Sequence, residues 1–141
     1  MDFFSAMDII ASGMTAERVR MNVTASNLAN ARTTRTPEGG PYKRRDPVFS
    51  TRAVASDFGQ ELDNAMRGVE VTDVVSDTTA PRQAFDPSHP DADAQGYVAL
   101  PNVNMVEEMV NMITAARTYE AGVTAMRSVV DMAQRVLTLG K

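Results

Sequence analysis

The chain has 141 residues, length for one ordinary domain, and a formal charge of −4 that by itself selects no partner. Cysteine is absent, which excludes a disulfide framework, a thiol nucleophile and a thiolate metal site. No window approaches ~18 consecutive apolar residues, so no transmembrane helix is expected, and Met1-Asp2-Phe3-Phe4-Ser5 lacks the basic start of a secretory signal.

The first element expected is a helix from about Ser5 to Asn30, ended by Asn27, Asn30 and the Thr33-Thr34-Pro37 stretch. Met7, Met14, Met21 and Leu28 sit seven apart in it, with Phe3, Ile10 and Ala25 on the flanking position. Thr15, Val19, Val23 and Thr24 make it a weak helix alone, so its order depends on packing. Residues 31–41 are turn chemistry, with Pro37, Gly39, Gly40 and Pro41 close together. Strand-like runs follow at Tyr42–Val54 and Val69–Val75, with Met66-Arg67-Gly68 read as a turn between them. Pro47 confines the first run to an edge or a bend. Asp86 to Gln95 is a loop dense in Pro and Asp, Gly96–Leu100 a short strand, and Pro101-Asn102 closes the region.

The last helix is expected from near Asn104 to Leu139, capped by Asn102 or Asn104 and stopped by Gly140. It carries an unbroken apolar seam at steps of four and three: Met105, Met109, Met112, Ala116, Tyr119, Val123, Met126, Val130, Ala133 and Leu137. That 3.5-residue period keeps one stripe of a helix against a partner in a left-handed coiled coil. Val106, Val110, Ile113 and Val129 lie outside the seam, so this helix needs more than one neighbour. The expected fold is mainly α with a small β insert. An N-terminal coiled-coil helix (1–31) and a C-terminal one (102–141) flank a β-rich outer domain (32–101). Three such segments cannot bury a large core alone, so other chains must cover part of the apolar surface.

Groups that could carry reaction chemistry are sparse. Glu107 and Glu108 are adjacent on a helix, point about 100° apart, and suit the positive end of the helix dipole better than an acid/base pair. His89, the sole histidine, lies in a loop with no second ligand type beside it. Asp91, Asp93, Gln95 and Gly96 mimic the start of an EF-hand loop, but Asn102 stands where the bidentate glutamate is required. No enzyme, metal, cofactor or small-molecule substrate is therefore expected. Charge is segregated: Arg32, Arg35, Lys43, Arg44, Arg45 and Arg52 oppose only Glu38 and Asp46 in residues 32–52, whereas residues 57–108 hold eleven acids against Arg67 and Arg82. Without aromatic platforms the basic stretch does not point to nucleic acid. Solvated surface of either sign accounts for the segregation as readily as head-to-tail contact between like subunits, in which Lys43, Arg44 and Arg45 would be the cations facing a neighbour's acids.

Ala25-Ser26-Asn27-Leu28-Ala29-Asn30 resembles the N-terminal motif of bacterial flagellar axial proteins. Gly96 to Asn104, including Pro101 and Asn102, followed by Val106-Glu107-Glu108-Met109-Val110, resembles the C-terminal junction of the proximal rod subunits. Gly40-Pro41-Tyr42 and Asp86 to Ala92 are similar to the short middle of the C-type basal-body rod protein family, and the likeness spans nearly the whole chain. Arg32-Thr33-Thr34-Arg35 is more basic than that pattern. The resemblance implies a structural subunit of the periplasmic flagellar rod, polymerising with like subunits and other rod proteins. It also implies a membrane-ring protein at the rod base as partner and export by the flagellar type III apparatus without cleavage. The competing expectation is a cytoplasmic coiled-coil adaptor or export chaperone.

Overall fold

The computed structural model describes residues 3–53 and 67–139. In chain order these form α1 (Phe3–Ala29), β1 (Arg45–Ala53), β2 (Arg67–Ser76), β3 (Arg82–Phe85), β4 (Tyr97–Leu100) and α2 (Met105–Leu139). The architecture is the expected one, two long terminal helices with a small antiparallel β insert between them. The expected stop at Gly140, Val54 of the first strand run and Met66 of the expected turn lie outside the described residues.

The start of α2 and the end of α1 fall where local chemistry permits. Asn104 caps α2, its side-chain oxygen accepting the Val106 amide at 3.1 Å. At the end of α1, Asn30 donates its side-chain amide to the Ser26 carbonyl at 2.9 Å and accepts the Thr33 hydroxyl at 3.1 Å. These bonds satisfy groups that a helix end leaves open.

The helices run antiparallel, because Met14 lies against Gly122 whereas Asn27 reaches Glu108. The most enclosed line of α2 steps through Glu108, Met112, Ala115, Tyr119, Gly122 and Met126, again alternating four and three. It shares Met112, Tyr119 and Met126 with the seam read from sequence. On its other side it takes Glu108, Ala115 and Gly122 where that seam has Met109, Ala116 and Val123. Small residues let the helices come close: Ala115 is wholly enclosed, and a Cβ on Gly122 would sit 2.7 Å from Met14 Cγ. In consequence Met105, Met109, Val130 and Leu137 are exposed, while Met112, Ala116, Tyr119, Val123, Met126 and Ala133 are half-buried. On α1 the four heptad residues Met7, Met14, Met21 and Leu28 are half-buried, and the fully enclosed positions are Ser5, Ser12, Ala16, Thr24 and Asn27.

The insert consists of two separate two-stranded sheets. β1 pairs with β2 from Arg45 opposite Ser76 to Ala53 opposite Arg67, with an irregularity between Val48 and Phe49. Among the described residues each strand has one strand neighbour, and an edge position tolerates Pro47 in β1. Arg67 and Gly68 are paired strand residues here, not turn residues, which corrects the sequence reading at those two positions. The hairpin lies on α1, where Ser12 Oγ accepts the Val69 amide at 3.0 Å and Arg52 meets Asp8 at 2.9 Å. β3, which the sequence did not mark, pairs with β4 from Arg82 opposite Leu100 to Phe85 opposite Tyr97. The two rings meet edge to face at 5.3 Å. Gly96 turns the chain into β4 at φ 83°, where an added Cβ would lie 3.0 Å from the Phe85 ring.

Candidate functional site

The most densely bonded polar cluster lies where α1, the start of β1 and the first turn of α2 converge. Asn27 and Glu108 are each 1% exposed. The Asn27 side-chain oxygen accepts the Arg45 amide and the Tyr42 hydroxyl, both at 2.9 Å. Its Nδ2 donates to the Arg45 carbonyl at 2.8 Å and to Glu108 Oε2 at 3.1 Å. All four bonds that an asparagine amide can make are therefore made. Toward Arg45 the amide acts as a strand would, offering one donor and one acceptor to a single residue. Aspartate would lose both donors, and glutamine would be one methylene too long.

Glu108 closes the cluster from α2. Its Oε1 accepts Arg44 Nε at 2.7 Å, and Arg44 also pairs with Asp46. Burial lowers the pKa of the Arg44 guanidinium, but bonds to Glu108 and Asp46, and their charges, outweigh it and hold that pKa above its ordinary value. Arg44 thus stays a cation wherever the protein is folded. From the far side Asn102 Oδ1 accepts the Arg44 amide at 3.1 Å. Side chains from both helix junctions therefore grip the backbone of residues 44–45 from two directions. A buried pair is costly to desolvate, and what it supplies here is a unique geometry between helices and insert.

The sequence-derived residues separate accordingly. Asn27, Asn102 and Glu108 come together, and Pro101 is buried beside them. Asn30 ends α1, Leu28 is half-buried, and Ala29 and Glu107 are exposed. Of the three expected contact cations, Lys43 and Arg45 are exposed, and the Arg45 guanidinium lies 5.9 Å from the Tyr42 ring centre. Arg44 is spent within its own chain. Tyr42 and Arg44 are junction residues that sequence reasoning did not single out for this role. The mixture of Tyr, Arg, Asn and Glu has no periodicity to betray it.

The acidic loop is internally committed. Asp93 Oδ1 accepts the amides of Gln95 and Tyr97 at 2.8 and 2.9 Å, and Asp91 accepts the Thr34 hydroxyl at 2.8 Å. The Ser88 hydroxyl and amide donate to Asp86, and these two bonds hold the exposed carboxyl below the ordinary aspartate pKa. His89 Nδ1 accepts the Asp91 amide at 3.1 Å. These bonds tie the loop's side chains to neighbouring backbone and hydroxyl groups.

Two antiparallel helices, locked through one buried network to an outer β insert, with exposed apolar residues along α2, define an elongated subunit of the assembly-forming class. Residues 6–35 match the family described as flagella basal body rod protein. Residues 94–139 match the flagellar basal body rod FlgEFG protein C-terminal family. Over its full length the chain is 40% identical to the flagellar basal-body rod protein FlgC of Escherichia coli O157:H7, covering all of that protein. It is 40% identical to the FlgC of Borreliella burgdorferi over 99% of this chain and 98% of the relative. Identity to the FlgC of Bacillus subtilis is 39%, with both chains fully covered. The chain belongs to the flagella basal body rod protein family.

Proposed function

We infer that this protein is a structural subunit of the flagellar basal-body rod, one that polymerises with like subunits and other rod proteins into the shaft carrying torque from membrane ring to hook. The observation that carries this reading is the outer face of α2. One stripe of the helix is packed on α1, yet Val106, Met109, Val110 and Ile113 form a second apolar stripe whose members are 45–65% exposed. Burying a residue of this kind is worth ~1.5–3 kcal/mol, so such a stripe favours a neighbour over water. Family membership and full-length similarity to the named rod proteins support the same conclusion and disfavour a cytoplasmic adaptor or export chaperone. No helix among the described residues is long and apolar enough to cross a membrane. A membrane-ring protein at the rod base and the type III export apparatus follow from the same reading as partners, with passage that leaves the N-terminus uncleaved.

Deleting the gene and complementing it with the tagged protein tests the reading. Loss of swimming, recovery on complementation and tagged protein in purified basal bodies are expected. A deletion strain that swims normally, or protein confined to the cytosol of swimming cells, would overturn it.

A further inference from the structure

The Asn-Leu-Ala-Asn motif is only half explained by the buried network. Asn27 and Asn30 make bonds inside the chain, but Ala25 and Ala29 stand exposed on the outer face of α1. They belong to an exposed line on α1 at coiled-coil spacing, Arg18, Asn22, Ala25 and Ala29, small toward its end, and Arg32 is exposed in the turn just past the helix. Neither arginine makes an ion pair with another described residue. The outer face of α2 is the inverse. Val106, Val110 and Ile113 form an exposed line of larger apolar residues, with exposed Glu107 beside its start and Glu120 two turns beyond its end.

Resting on the rod-subunit reading, we propose that the outer α2 stripe of one copy packs onto the Arg18–Ala29 stripe of α1 of a second copy, with Arg32 in the turn beyond it. Three properties match. Small residues on α1 make a groove that admits branched side chains, and helices meeting through such positions approach to the short end of the ~8–10 Å range. The charges are complementary: Arg18 on α1 and Arg32 just past its end offer two cations, and Glu107 and Glu120, ~20 Å apart along α2, offer two anions. The two stripes are on different helices, so the contact uses different surfaces on the two copies. A heterologous contact of this kind leaves each copy with one stripe still open and can continue as a helical array, whereas a closed dimer cannot.

The absence of native cysteine makes the contact directly readable. Copies carrying Ala25→Cys and copies carrying Ile113→Cys are co-expressed in the deletion strain, and purified basal bodies are oxidised. We expect the mixed disulfide dimer to exceed either same-residue dimer by at least tenfold, a threshold we set for a specific contact. In parallel, Arg18→Glu is expected to reduce swimming at least severalfold and Glu120→Arg in the same chain to restore part of it. Equal yields of the three dimers, or no mixed dimer from basal bodies that contain both variants, would overturn the stripe contact. The rod-subunit reading would then still stand, since it is judged by basal-body incorporation and not by cross-linking.

Discussion

Replacing Glu108 with alanine isolates what the junction contributes. The carboxylate accepts Arg44 Nε at 2.7 Å and Asn27 Nδ2 at 3.1 Å, and it is 1% exposed. Removing one partner of a buried pair costs ~3–5 kcal/mol, because the other charge stays desolvated. Arg44 retains Asp46, whose side chain is half exposed, so the expected loss lies at the lower end, about 3 kcal/mol. Urea unfolding of the purified protein followed by tyrosine fluorescence is a direct assay, since Tyr42 sits in the junction and tryptophan is absent. Glu107→Ala, one residue away on the exposed face, is the control and should stay within ~0.5 kcal/mol of the parent. The gap between the variants should persist at ~1 M salt, because a buried pair is screened far less than a surface one. Equal losses from the two substitutions, or a gap that salt abolishes, would refute the placement of Glu108 in a buried network.

Gly122→Ala should destabilise the protein by about 1–2 kcal/mol in spite of better helix propensity, because the new Cβ meets Met14 Cγ; in a Met14→Ala background the same change should become neutral or favourable in thermal unfolding. Asp86 should titrate below the ordinary aspartate range in a carboxyl NMR titration, and Ser88→Ala should raise its midpoint by removing the hydroxyl bond. Because its folded pKa is depressed, what this turn adds to stability is present above the unfolded pKa and is lost as pH falls through the folded one. The double reversal Lys43→Glu with Arg45→Glu should weaken assembly at low salt and cost no more than about 1 kcal/mol in unfolding, the contact of Arg45 with the Tyr42 ring, measured by basal-body incorporation and urea titration; Arg44 is left out because reversing it would break the junction itself.

The sequence by itself determined the two terminal helices, the end of the first and the start of the last, because periodicity, caps and glycine-proline punctuation are local signals that a single chain carries without reference to its partners. It also marked Asn27, Asn102 and Glu108, through resemblance rather than through any visible chemistry. On chemical grounds Glu108 reads as a carboxylate favoured by the helix dipole, the same as Glu107. Their opposite fates, one buried and one exposed, follow from a rotation of about 100° around α2 that only the position of α1 and Arg44 sets. The helix-pairing line was decided the same way. Counting apolar bulk selects Met109 and Val123, whereas the closest packing of α1 uses Ala115 and Gly122, whose smallness lets the backbones meet. Tertiary structure likewise created β3, whose Arg-Gln-Ala-Phe sequence has little strand preference of its own and becomes a strand by pairing with β4. Local propensity and period are thus written residue by residue, while the choice among neighbouring faces of one helix depends on which surface arrives to cover it.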